Sequence, residues 1–195
     1  MSPWHTGAGA SGVVSACRHL VQGLALHPDA GRVVVLSLGA ERRVESLWDG
    51  AVRVETIPRQ TRLALATAGW PDYVRASRWV SATGFRPGVV HGQGLAVEGL
   101  LATRLARRLS VPAVVTVHGM VDARSGFSRE AARAGLARRV MNETLARAAG
   151  IVFVSPFRKE ELVGERTIET RVIPNAIAPE AFEVTRRSGA NVILY

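Results

Sequence analysis

His118 closes a short apolar run, Val111-Pro112-Ala113-Val114-Val115-Thr116-Val117, and Gly119 follows it at once. A run of that length and composition reads as a buried parallel strand, and the glycine as the turn that ends it. In open α/β sheets, ligands bind just beyond the carboxyl ends of the strands. An imidazole there can orient a substrate by hydrogen bonding or exchange a proton with it near neutral pH. A core histidine is the plain alternative, but a core residue belongs in mid-strand rather than at the mouth. His91 closes a second short run, Gly88-Val89-Val90, and Gln93 lies two residues on. The Gln93 carboxamide can hydrogen-bond a hydroxyl but cannot titrate.

A third segment, Gly7-Ala8-Gly9-Ala10-Ser11-Gly12, spells GxGxxG and leads into a helical stretch from Val13 to Leu26. A glycine loop at a helix N-terminus exposes backbone N–H groups that suit a phosphate or carboxylate. Three readings stand open. A dinucleotide site needs a strand before the loop and an acid about 20 residues on for the ribose. No apolar strand precedes Gly7, Asp29 falls in a turn, and Glu41 comes later than the pattern asks. The other readings are an anion-binding loop of another kind and a glycine turn that merely reverses the chain.

The elements that would position these residues alternate strand and helix. Strands are expected at Arg32–Leu38, Val52–Ile57, Gly88–His91, Ala113–His118, Ile151–Ser155 and Arg171–Ile173. Helices are expected over Arg62–Thr83, with a break at Gly69-Trp70-Pro71, over Leu95–Leu109, from a Ser128 cap to Ala149, and from Pro156 to about Val163. In the second helix Val97, Leu101, Leu105 and Leu109 recur every four residues, with Arg104, Arg107 and Arg108 on the other side. Short apolar strands separated by amphipathic helices predict an α/β fold, a Rossmann-like doubly wound parallel sheet. The strand before the first glycine loop is usually central in such a sheet, and its lack would leave two edges unpaired. An N-terminus starting several residues earlier in the natural protein is therefore expected. At the other end, Ala190-Asn191-Val192-Ile193-Leu194-Tyr195 reads as the start of a new buried strand after the polar stretch from Thr185 to Gly189.

The 195 residues suffice for one domain with a full core, and the charge is +9, with Lys159 the only lysine. Such a surface attracts anions: phosphates, nucleotides or acidic headgroups. Nucleic acid is disfavoured, because no recognised binding motif is present. No apolar run reaches the roughly 20 residues of a membrane span. Met1-Ser2-Pro3-Trp4-His5 lacks the basic and apolar regions of a signal peptide. The single cysteine, Cys17, has no thiol partner and is expected to be a small buried apolar residue. A reducing cytoplasm is the simplest expectation.

Five blocks in order resemble the N-terminal half of a GT-B glycosyltransferase of the family 4 type. They are the Gly7–Gly12 loop, Val89-Val90-His91-Gly92-Gln93-Gly94, Val111–Gly119, Ala148–Ser155, and Val172-Ile173-Pro174-Asn175-Ala176-Ile177 with Phe182 beyond. The resemblance implies an N-terminal Rossmann-like domain over residues 1–184. Residues 185–195 would then be a linker and the first strand of a second, truncated domain. It implies retaining, metal-independent transfer of a hexosyl-type unit from a sugar nucleotide to a glycan or lipid-linked acceptor. No resident cofactor is implied, since the sugar nucleotide is substrate. By the same resemblance Gly9 and Gly12 lie near the donor phosphates and reacting sugar, His118 contacts the transferred sugar as the catalytic histidine, and His91 and Gln93 line the cleft. Asn175 sits at the interdomain hinge in a structural role. Where the family often has a second histidine this chain has Gln93, and the family's Pro-Asn-Gly reads Pro174-Asn175-Ala176. The fragment alone is expected not to turn over. The alternatives are a dinucleotide-binding oxidoreductase domain and a non-catalytic Rossmann-like binding module.

Smaller signals remain. Arg59, Arg62, Arg75 and Arg78 intermix with Trp70, Tyr73 and Trp79, a composition suited to carbohydrate, a lipid-linked acceptor or an anionic membrane surface. The inner face of the cell membrane is accordingly a second expected location. Arg129, Arg133, Arg138 and Arg139 fit a solvated helix face or peripheral contact with anionic lipid. His5 and His91 could line one cleft, while His19 and His27 fall outside it. Ser155 reads as a helix cap.

Overall fold

The computed structural model describes residues 12–39, 41–58, 67–118, 131–156, 159–164 and 167–175. The elements run α1 (Gly12–Leu26), β1 (Val33–Gly39), β2 (Arg43–Leu47), β3 (Val52–Pro58), α2 (Trp70–Thr83), β4 (Val90–Gln93), α3 (Val97–Leu109), β5 (Ala113–Val117), α4 (Ala131–Arg147), β6 (Gly150–Phe153), α5 (Lys159–Val163) and β7 (Glu169–Val172). The strands form two sheets. One is parallel throughout, in the order β4-β5-β6-β7; the other is β1-β3-β2, with β1 parallel and β2 antiparallel to β3. The fold is α/β and Rossmann-like, as the alternation of elements predicts.

Side-chain alternation sorts the helices onto two faces. Val33 and Val35 of β1 pair in register with Val52 and Val54 of β3, and these pack with Val21 and Ala25 of α1. The alternate residues Leu36, Leu38 and Ile57 pack with Ala76 and Val80 of α2 and with Leu105 of α3. Helix α1 thus covers one face, and α2 and α3 the other. A further cluster joins Val115, Val117, Ile151 and Phe153 of β5 and β6 to Leu145 of α4 and Val163 of α5. Val90 of β4 packs in the α2–α3 cluster together with Leu36 and Leu38 of β1, so apolar side chains bring the two sheets together without strand pairing.

Close approach of α3 to β4 depends on two glycines. A Cβ on Gly92 would come within 2.9 Å of the Ala102 Cβ. A Cβ on Gly99 would overlap the Gly94 carbonyl oxygen and lie 2.7 Å from Thr144 Cγ2. The sequence places α3's apolar row at Val97, Leu101, Leu105 and Leu109, but Leu100, Ala102, Thr103 and Ala106 are buried as well. The helix is packed on three sides, against the sheet, α2 and α4. Arg104 departs from its expected solvent-facing place. It is mostly buried, donates to the Ala68 carbonyl at 2.8 Å, and pairs with Glu143 of α4 at 3.2 Å.

At the expected break the chain turns and α2 begins at Trp70. Gly69 has φ +70°, its Cβ position is blocked by Val97 Cγ1 at 2.7 Å, and Pro71 sits in the first turn of α2. Residues 59–66 lie outside the described set, as do Ser128 and residues 176–195 with Phe182 and the 185–195 segment. Helix α5 begins at Lys159, three residues after the Pro156 expected to start it, and residues 157–158 between them lie outside the described set. Strand β2 is the element the sequence does not announce. It reads RVESL, Val44 is 53% exposed, and it buries no side chain. Among the described residues no helix is long and apolar enough to cross a membrane.

Candidate functional site

The parallel register of β4 with β5 aligns His91 with Val114 and Gln93 with Thr116. Paired residues of adjacent strands point to the same face, and His118 lies two beyond Thr116 on that same parity. Gly92, of opposite parity, faces α3. Thus the strand that docks tightly on α3 through its glycine turns His91 and Gln93 to the other face, toward Thr116 and His118. From that side α1 brings Cys17, whose Sγ lies 4.0 Å from His118 Nε2. Asn175, three residues beyond β7, sits beside the His118 ring and favours its charged form.

The side chains form a chain of hydrogen bonds. The Nε2–H of His118 donates to Gln93 Oε1 at 2.6 Å. The Gln93 amide N–H donates to His91 Nε2 over a longer 3.4 Å, and the Thr116 hydroxyl donates to the same nitrogen at 2.7 Å. This polarity is the one that gives each end of the Gln93 amide a complementary partner. It leaves His118 as the Nε2–H tautomer with an acceptor lone pair on Nδ1. That nitrogen is buried and has no hydrogen-bond partner of ordinary length among the described residues.

Both imidazoles are held below the ordinary histidine pKa. For His118 burial is the larger cause, partly offset by Asn175. For His91 burial again leads, and the nearby His118 charge lowers it further. Burial pushes the Cys17 thiol up to about 11, so it stays protonated near neutral pH. At pH 7 the cluster is a set of neutral donors and acceptors at the carboxyl end of a parallel sheet.

The expected site residues fall as follows. His118, His91 and Gln93 come together in one cluster, and His118 sits at the strand mouth, half-buried, rather than within the core. Asn175, expected at a hinge, joins them. Gly12 starts α1 and is exposed. Gly9 and His5 lie outside the described residues. His27 is taken up by the backbone N–H of Asp29 in the turn after α1. Glu41 is exposed and pairs with Arg43 at 3.3 Å, so neither acid is placed as a ribose ligand. Two members were not anticipated from sequence. Thr116 is masked by its apolar neighbours in the strand. Cys17 is buried as expected, yet its sulfur borders the imidazole rather than only the core. Its place in the second turn of a helix that follows a glycine loop was the available signal.

No group of three or more His, Cys, Asp or Glu side chains disposed to hold a metal ion occurs among the described residues. No curated protein sequence matches the chain. The family described as glycosyl transferase 4-like domain matches residues 11–176, a span that takes in the end of the glycine loop, the His91–Gln93 strand, His118 and Asn175. The chain therefore belongs to the glycosyl transferase 4-like family, whose members bind a sugar donor and an acceptor.

Proposed function

We propose that this chain is the acceptor-side domain of a retaining, metal-independent glycosyltransferase that moves a hexosyl unit from a sugar nucleotide to a glycan or lipid-linked acceptor in the cytoplasm. Residues 185–195 would begin the second, donor-holding lobe. The observation that carries this reading is the His118 cluster: an imidazole at the strand mouth, anchored through Nε2 to Gln93, with Asn175 beside the ring.

The chemistry fits such a group. Glycosyl transfer develops positive charge on the sugar and negative charge on the departing phosphate. A charged imidazolium against the sugar would oppose the first change. Burial keeps His118 neutral, so the half-buried ring can border a sugar without adding a like charge. Gln93 fixes the ring's orientation, His91 holds the Gln93 amide, and Thr116 holds His91 in turn. Gly12, with Gly9 before it, would present helix N-terminal N–H groups to the leaving phosphate, where the helix dipole favours negative charge.

The test is a transfer assay with a panel of sugar nucleotides on this 195-residue chain and on the chain continued through a second lobe. The short chain should be inactive and the long one active. His118→Ala in the long chain should lower kcat by about 10²-fold or more, the loss typical of a positioned catalytic group. Robust transfer by the short chain, or an alanine variant within threefold of the parent, would contradict the reading.

A further inference from the structure

A groove of about 690 Å³ runs along α2 on the helix face opposite the His118 cluster, within the size range of ligand sites. Trp70, Tyr73, Ser77, Arg78, Ser81 and Arg108 line it. Trp70 is 57% exposed at the start of α2, and its ring lies 5.2 Å from that of Tyr73. Large aromatics are normally turned inward, and an exposed Trp70 packed on a partly buried Tyr73 at the groove marks a binding surface. Arg78 and Arg108 are exposed and have no ion-pair partner among the described residues. In contrast Arg75, one turn away, is committed to Asp72 and to the Pro58 carbonyl. Ser77 is only 5% exposed, yet its Oγ has no hydrogen-bond partner among the described residues, and the residue lines the groove. That hydroxyl is closed off from solvent, so the groove offers its aromatic rings and guanidinium groups to a ligand rather than this oxygen.

We propose that this groove binds an anionic oligosaccharide. The apolar faces of sugar rings would stack on Trp70 and Tyr73, and acidic groups would pair with Arg78 and Arg108. Guanidinium groups suit carboxylate, sulfate or phosphate through paired N–H donors. Aromatic rings beside two exposed guanidinium groups suit an acidic sugar chain better than a lipid headgroup, which offers no ring face to stack. The site lies apart from the reacting centre, and its role as a hold on an acidic glycan acceptor rests on the transferase reading.

Calorimetric titration of the 195-residue chain tests it. The probes are hexasaccharides of galacturonate, of hyaluronan and of heparin, with maltohexaose as the neutral control and phosphatidylglycerol vesicles as a membrane control. At least one acidic hexasaccharide should bind about tenfold or more tighter than maltohexaose. Trp70→Ala and the double variant Arg78→Ala/Arg108→Ala should each weaken that binding about tenfold. Because Trp70, Arg78 and Arg108 are exposed, circular dichroism should show these variants folded. His118→Ala should leave saccharide binding intact, which separates failure of this site from failure of the transferase reading. Absence of acidic saccharide binding, binding unchanged in the groove variants, or binding of anionic vesicles alone would overturn the proposal.

Discussion

The sheet β4-β5-β6-β7 runs parallel throughout, while β1-β3-β2 carries the antiparallel edge strand β2. In the first, the polar residues at the carboxyl ends of β4 and β5 bond to one another: His118 to Gln93, Gln93 to His91, and His91 to Thr116. In the second, the buried carboxylate is Glu55, 1% exposed, and it is met by cations instead. Arg53 lies 3.1 Å from it, Arg42 lies 3.4 Å from it, and the Arg53 guanidinium also rests over the Trp79 ring. A charged carboxylate clamped by two guanidinium groups has its valences filled and anchors structure. A neutral imidazole held by an amide keeps one nitrogen to offer. The second sheet neutralises its buried charge, whereas the first keeps its site uncharged and poised.

Three perturbations sharpen that contrast. The largest expected effect is at the packing that sets the site. Gly99→Val should destabilise the fold by about 3 kcal/mol in denaturant unfolding, because a side chain there meets backbone and Thr144 with no room to relax. A change under about 1 kcal/mol would mean that α3 can slide on β4 and that the geometry of His91 and Gln93 is loose. A smaller effect is expected on acidification. Both imidazoles have folded-state pKa values below the unfolded value near 6.5, so below that pH the unfolded chain binds more protons than the folded one. Stability should therefore be highest above pH 6.5 and fall as pH drops through that value. The double variant His91→Gln/His118→Gln should flatten the profile in that window. A parent chain that gains stability on acidification would break the account. The smallest effect belongs to the second sheet. Arg42→Ala should change stability by no more than about 0.5 kcal/mol, since its side chain is 73% exposed and Arg53 remains on Glu55.

Legibility from sequence followed burial. The runs RVVVLSL, VRVETI and AVVTV read as strands because their apolar residues are clustered, and each lies within a residue or two of the strand observed. RVESL of β2 carries no such run, since an exposed edge strand has little to bury. Its trace was the Asp49-Gly50 pair, within a turn where Trp48, Asp49 and Gly50 all have positive φ. Helix ends were legible where backbone chemistry forced them, as at Gly69-Trp70-Pro71. At Pro156 the start was less legible, since the described helix begins at Lys159, three residues on. For the site, strand-mouth position pointed to His118, His91 and Gln93 without showing that they touch. Contact depends on the register of β4 with β5, which no local pattern encodes. The same reason hid Thr116, and tertiary placement of α1 hid Cys17; Asn175 was named from the resemblance, but not its place beside the His118 ring.

Long-range proton–nitrogen NMR of the histidine rings in this chain measures the poised imidazole directly. The account predicts that His118 is neutral at pH 7, carries its proton on Nε2, and titrates below the ordinary histidine value. A proton on Nδ1 at pH 7, or a pKa above 6.5, would contradict it.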